Sequence, residues 1–343
     1  MNMEVGTGRS LAIGVVALAL FAGTTLAAAA RPEQRDAQVV FVTAPCTVPD
    51  FDFLCPPFLR ALRRTGVQGK IIAPAYREDI ASTLSLLAKQ GYALIIVWPG
   101  GNFDEWTAAL GNVARRFPQA RFALLEFPLS VLGRRTTNVQ SILIRTHEAS
   151  YLAGWLAVRL EQRRPGRDVV GAVGGLEGIQ TVEDFMVGFR AGAKGASPKA
   201  TVLVGYSQDF VDPTKCEAIA RRQIARGAGA LFNVAGGCGL GTLRAAKRAG
   251  IWGIGVDTDQ SFLGPHILTS VVKGWDVMML TLLRQVRDGR IRARGQIELG
   301  LADGGATLGR LSPKVPASLR RELADMRRRI VAGEIRVPGV PPR

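Results

Sequence analysis

Residues 230–260 read ALFNVAGGCGLGTLRAAKRAGIWGIGVDTDQ. An apolar run, a glycine-rich turn, a helical segment and a second apolar run follow one another. The last run ends abruptly in Asp257, Thr258, Asp259 and Gln260. Strand, helix and strand in that order make a βαβ unit and imply a parallel sheet. In the turn, glycine lets backbone N–H groups approach a ligand closely, and a helix N-terminus favours oxygen acceptors. It is not a dinucleotide fingerprint, because Arg244 stands where a third glycine is needed. A tight βα connection explains the same residues. The acids of GVDTDQ (255–260) fall at the next strand end, on the same rim. Carboxylates there can accept hydrogen bonds from a polyol such as ribose. Taken alone, they also read as an Asx-type turn and helix cap.

The pattern extends in both directions. Apolar runs at 38–43, 70–74, 93–98, 121–126, 168–173, 201–205, 230–234 and 252–256 alternate with segments of helical period that end in glycine. Strands that are apolar throughout suit sheets covered on both faces. The alternation predicts two stacked α/β domains. A long helix is expected from near Thr146 to before Pro165, with Tyr151 and Trp155 on one face as packing residues. A tail helix presents Leu319, Leu323, Met326 and Ile330 as a docking stripe, and RVPGVPPR (336–343) should be extended.

The 343 residues, 47% hydrophobic and 21% charged, give a globular chain long enough for two cores. The net charge is +16. That permits nucleic acid, an anionic membrane surface or an acidic partner. No zinc-finger spacing and no basic stripe with interleaved aromatics occurs, so a solvated basic face is the simplest reading and no nucleic-acid partner is expected. Residues 1–30 read as a secretory signal peptide: Arg9, the apolar LAIGVVALALFAG (11–23), then small residues around Ala28–Ala30. An uncleaved anchor is the alternative. Export makes disulfides available to the four cysteines. Cys46–Cys55 and Cys216–Cys238 are the preferred pairs among three pairings, with unpaired buried thiols as the alternative.

Candidate chemistry is sparse. The two histidines, His147 and His266, have no metal-ligand spacing, and C-x-x-C pairs and a G-x-S-x-G elbow are both missing. No metal, cofactor or catalytic residue is therefore expected. An enzyme would have to work with carboxylates or lysine alone. Lys273, ending TSVVK, can pair with Asp257 or meet a ligand. Aromatic residues follow the early strands: Phe51, Phe53 and Phe58 in TVPDFDFLCPPF (47–58), and Trp98 and Phe103 in VWPGGNF (97–103). On strand-end loops such rings can sandwich a flat ligand.

The order and spacing of several motifs carry a resemblance. They are EASYLAGWLA (148–157), VVGAVGG (169–175), FMVGFRAGAK (185–194), DPTKCEAIA (212–220), VAGGCGLG, GVDTDQ, TSVVK, LGLADGGATLG (299–309) and IVAGEIRVP (330–338). Together they resemble the basic membrane protein family of substrate-binding proteins that feed ABC importers. The resemblance implies a type I periplasmic-binding fold, two Rossmann-like lobes with parallel sheets joined by three crossovers, and a purine or other nucleoside in the cleft. It implies that Asp257 holds the ribose hydroxyls, that Lys273 supports that site, and that Gly236 and Gly237 line the cleft. Asp50 and Phe53 match the acid and the stacking phenylalanine of the family's first loop. Glu126 stands where the family usually has Asp. Ala44 and Leu54 replace polar residues expected near the base, and the lipidation cysteine is missing.

The expected organisation is a signal peptide over 1–30, a first lobe from 38–145 plus 268–292, and a second from 146–262 plus 293–343. The expected function is an exported solute-binding protein, periplasmic or at the cell surface, binding a nucleoside or nucleoside-like ligand. It is expected to act as a monomer with an ABC permease as partner. Phe53, with Phe103, would stack on the ring. The alternatives are a riboflavin-like flat ligand, a sensing receptor on the same fold, and a carboxylate-based enzyme.

Overall fold

The computed structural model describes residues 38–43, 53–74, 79–99, 102–133, 135–164 and 168–340. The chain alternates through β1 (Gln38–Val42), α1 (Cys55–Thr65), β2 (Gln68–Ile72), α2 (Ile80–Lys89), β3 (Leu94–Val97), α3 (Phe103–Arg116), β4 (Phe122–Leu125) and β5 (Val139–Ile144). It continues with α4 (Thr146–Glu161), β6 (Val169–Gly174), α5 (Gln180–Ala196), β7 (Thr201–Tyr206), α6 (Pro213–Ala225), β8 (Ala230–Val234), α7 (Gly239–Arg248), β9 (Trp252–Asp257) and β10 (Ile267–Lys273). The last elements are α8 (Trp275–Arg287), β11 (Gly295–Leu299), β12 (Ala306–Leu308) and α9 (Ala317–Val331). No helix among the described residues is long and apolar enough to cross a membrane.

Two six-stranded sheets result, in the orders β11-β5-β4-β3-β1-β2 and β12-β10-β9-β8-β6-β7. Every pairing is parallel except that of β10 with β12. Residues 39–42, 94–97 and 122–125 are buried on both faces, as sheets covered by helices require. Strand order reverses between β1 and β3 in the first lobe and between β6 and β8 in the second. Ligands bind open α/β sheets at such reversals, beyond the strands' C-terminal ends.

The chain crosses between lobes three times: β5 to α4, β10 to α8, and β11 to β12. The crossings are tied together. Arg145 N donates to Leu299 O at 2.8 Å, Gly274 N to Gly305 O at 2.7 Å, and Leu301 N to Glu148 Oε2 at 2.7 Å. The expected boundaries, with 268–292 in the first lobe and 293–343 in the second, need correction. β10 belongs to the second sheet beside β9, and β11 to the first beside β5. The loop between β9 and β10 simply returns the chain to the same sheet, so the second crossing comes only at Gly274.

Helices α4 and α5 touch through glycine. A Cβ at Gly154 would lie 2.1 Å from Phe189 O, one at Gly188 2.2 Å from His147 O, and one at Gly192 1.9 Å from Tyr151 O. The motifs EASYLAGWLA and FMVGFRAGAK are thus the two halves of one close backbone contact. Trp155 is buried, and on α9 Leu319, Leu323 and Ile330 are buried. Beyond α9, Ile335 and Val337 pack on the core. Val340 N then donates to Asp184 Oδ1 at 2.8 Å, which lies 3.7 Å from His147 Nδ1. Cys216 and Cys238 form a disulfide with Cα atoms 5.6 Å apart, linking the starts of α6 and α7. The other expected pair involves Cys46, which lies outside the described residues.

Candidate functional site: a charged bridge between two ring clusters

Three non-glycine residues among those described have positive φ: Glu126 (66°), Gln208 (56°) and Asp257 (62°). This region is unfavourable for side chains larger than glycine and is held only where surroundings enforce it, often at functional sites. Glu126 directly follows β4 of the first lobe, and Asp257 closes β9 of the second. Both point at one lysine. Lys273 Nζ lies 2.9 Å from Glu126 Oε1, 3.0 Å from Glu126 Oε2 and 3.1 Å from Asp257 Oδ1. The Lys273 and Glu126 side chains are each 6% exposed, whereas Asp257 keeps 22%. Asp257 is therefore the open carboxylate of the bridge, and the Lys273–Glu126 pair is buried.

Burial disfavours the Lys273 ammonium, but the charges of Asp257 and Glu126 and their hydrogen bonds outweigh it and hold the pKa above the ordinary lysine range. Burial pushes the Glu126 carboxyl up; Lys273 opposes this, and the Asp257 carboxylate adds to it. Trp98, just after β3, hydrogen-bonds Glu126 through its side chain. The rings of Phe185 and Trp275 lie 5.2 Å from Lys273 Nζ, within cation–π range.

Aromatic groups flank this bridge. Phe53 packs on Trp275 with centroids 5.2 Å apart. Phe103 packs on Phe127 at 5.2 Å and meets Phe210 of the second lobe edge-on at 6.4 Å. Phe53 and Phe103, expected to act on one ring, therefore sit in different ring pairs. Phe210 covers the glycine-rich rims: a Cβ at Gly175 would lie 2.2 Å from its ring, and one at Gly236 would lie 3.3 Å from its carbonyl. Gly236 has φ 52°, which the turn after β8 requires. Gly237 lies in the same turn.

The polar side of GVDTDQ is internal wiring. Gln260 Oε1 accepts from Val256 N at 3.0 Å, and Gln260 N donates to Ser270 Oγ at 3.0 Å. Asn233 Oδ1 accepts from Ala235 N at 3.0 Å and fixes the turn after β8. Thr43 Oγ1, closing β1, and Trp275 Nε1 are among the buried polar atoms with no hydrogen-bond partner among the described residues. Such atoms demand a ligand or water. Asp50 and Ala44 lie outside the described residues. Leu54 is fully buried in the first lobe's core.

Reading the sequence alone left out Phe127, Phe185, Phe210, Trp275 and Thr43 as site residues. Their signal was positional: each follows, or lies within two residues of, a strand-end acid, lysine or apolar run, apart from Phe185 and Phe210. Those two are placed by tertiary packing. Among the described residues no group of His, Cys, Asp or Glu could hold a metal ion.

Residues 60–340 match the sequence profile of the Bmp family, described as ABC transporter substrate-binding protein PnrA-like. The chain is 28% identical over 284 residues to a CD4+ T-cell-stimulating antigen of Listeria monocytogenes, covering 78% of this chain and 76% of the relative. It is 26% identical over 279 residues to the ABC transporter nucleoside-binding protein BmpA of Lactococcus lactis, covering 76% and 75%. Among solved structures, an ABC-transporter solute-binding protein of Aeropyrum pernix superposes with a TM-score of 0.73 at 24% identity, covering 88% of this chain and 93% of that one. That likeness establishes the type I periplasmic-binding fold.

Proposed function

The chain belongs to the Bmp family of PnrA-like ABC-transporter substrate-binding proteins, and on that premise we propose that its cleft receives a nucleoside or nucleoside-like ligand. The observation that carries this reading is the Glu126–Lys273–Asp257 bridge with rings on both sides. Asp257, anchored through one oxygen and partly open, is suited to accept hydrogen bonds from vicinal hydroxyls. The rings of Phe53 and Trp275, or of Phe103, Phe127 and Phe210, are suited to a flat base. Trp275 Nε1 supplies a donor in need of an acceptor. The similarity to the lactococcal nucleoside-binding protein supports the same ligand class. We assign no catalytic role to any residue.

In this reading the protein is exported, and the closed lobes deliver ligand to an ABC permease. The Lys273–Glu126 contact joins the lobes in the closed arrangement. Calorimetry against purine and pyrimidine nucleosides, free bases, ribose and riboflavin tests it. Binding of nucleosides well above free bases and ribose is the expected result. A folded protein that binds no nucleoside would overturn the ligand class. Tight riboflavin binding alone would move it to an extended flat ring.

A further inference from the structure

Phe210 reaches across to Phe103 of the first lobe, yet the surface beneath it is glycine. A ring laid on Gly175 and Gly236 has no side chains there to interlock with, so packing alone does not fix where it sits. Its place is set by the backbone of residues 207–212. Ser207 N donates to Gly174 O at 2.9 Å and Gln208 N to Gly175 O at 3.0 Å, the latter with Gln208 at φ 56°. Asp209 Oδ1 accepts from Val211 N at 2.7 Å and from Asp212 N at 3.0 Å. Asp212 Oδ1 in turn accepts from Thr214 N at 2.8 Å and caps α6.

One residue holds both ends of the segment that follows. Cys238 N donates to Phe210 O at 2.9 Å, and the Cys238 sulfur is bonded to that of Cys216, near the start of α6. Residues 210–216 are thereby closed onto the glycine-rich turn after β8. The closure is tight: a Cβ at Gly241 would lie 1.8 Å from Pro213 O. Cys216 and Cys238 are fully buried, in a cluster with Ala220, Ala235, Ala245 and Ile251. Thiols in solution have no access to such a bond, so it is a fixed clamp and not a redox switch. We propose that Cys216 and Cys238 are positioning residues for the ligand site: their disulfide fixes Phe210 over the glycine rims and pre-organises the second lobe's ring wall before ligand arrives. Without the bond the ring samples other positions, and the apparent affinity falls with the fraction of molecules whose ring is in place. This role rests on the cleft being a nucleoside site.

The test is a double-mutant cycle, read by calorimetry with a purine nucleoside. C216A/C238A is measured in the native background and together with Phe210→Ala. The expected result is about tenfold weaker binding in the native background, and a loss within about twofold where the ring is already gone. Ile251→Ala opens the same core just before β9, at the end of the sheet away from the cleft. It controls for lost stability and should keep the native affinity within about twofold. Equal losses in both backgrounds, or none in the native one, overturn the proposal. C216V/C238A, which refills part of the space without the bond, takes over where the double alanine melts below the assay temperature. Amide hydrogen exchange of the ligand-free variants reads the clamp directly. Acceleration confined to residues 207–212 and 235–241 supports it; no acceleration, or acceleration spread evenly over the second lobe, overturns it. A native chain that binds no nucleoside overturns the ligand class, and the exchange pattern still decides whether the bond fixes Phe210.

Discussion

Lys273 Nζ, at the end of β10 in the second lobe, lies 2.9 Å from Glu126 Oε1 of the first lobe and 3.1 Å from Asp257 Oδ1 of its own. One ammonium thus serves two carboxylates held on different lobes. Lys273→Met removes the cation and leaves both acids facing each other in a dry site. The expected cost is about 3–5 kcal/mol of folding stability, the range for breaking a buried ion pair from one side. Glu126→Gln keeps the shape and leaves Lys273 paired with Asp257, so it should cost clearly less. Urea denaturation of both variants checks the ranking, and an equal or larger loss in Glu126→Gln would count against the shared-cation arrangement.

Asp257 is the open member of the bridge. If it holds ligand hydroxyls, Asp257→Ala should weaken nucleoside binding by about 1–3 kcal/mol, the range for hydrogen bonds to a charged group. The loss for the 2′,3′-dideoxynucleoside should be much smaller, because the missing partner is the hydroxyl pair. Calorimetry with both ligands measures the difference. A folded variant with unchanged nucleoside affinity would remove Asp257 from the ligand site.

Most strands were legible because a sheet covered on both faces demands unbroken apolar runs. The eight runs from QVVFVT to WGIGV all became strands. β5 was not among them, because Gln140 and Ser141 interrupt its apolar pattern. The lobe boundaries were misread at β10 and β11, since periodicity identifies a strand but not the sheet it joins. The acids of GVDTDQ and Lys273 could be singled out locally. Their meeting with Glu126 could not, because the partners are 147 residues apart in sequence. Phe210 was hidden in SQDFVDP by polar neighbours and becomes a site residue only when the turn after β7 folds over Gly175 and Gly236.

The contact between α4 and α5 makes a separate prediction. The backbones approach so closely that Gly192→Ala would put a methyl 1.9 Å from Tyr151 O, with backbone and not a flexible side chain as the obstacle. The helices must separate, at the upper end of the roughly 1–3 kcal/mol typical of overpacking. Gly91→Ala is a poor control because its φ is 75°. Ala196→Ser, at the end of the same helix, tests whether the effect is specific to the contact. Thermal melts of the two variants should differ by several degrees.

The last prediction concerns pH at the foot of the same helices, where the C-terminal segment ties down. Burial, with Arg145 nearby, lowers the His147 pKa to about 4, and Glu298 opposes this. Burial raises Asp184 to about 6, against the hydrogen bond from Val340 N. The two groups act in opposite directions. His147 is depressed, so its contribution is complete above pH 6.5 and is lost as pH falls toward about 4. Asp184 is raised, so its contribution is complete below the ordinary carboxylate range and is lost as pH rises through about 6. Each is bounded at about 3 kcal/mol by linkage. Asp184→Asn keeps an oxygen for Val340 N but cannot ionise. Its stability relative to the native protein should therefore rise between pH 4.5 and 7.5. His147→Phe should show the reverse trend, gaining on the native protein as pH falls from 6.5 to 4.5. Urea midpoints across that range read both slopes, and parallel profiles for the native protein and Asp184→Asn would show that the carboxyl is not ionising against burial.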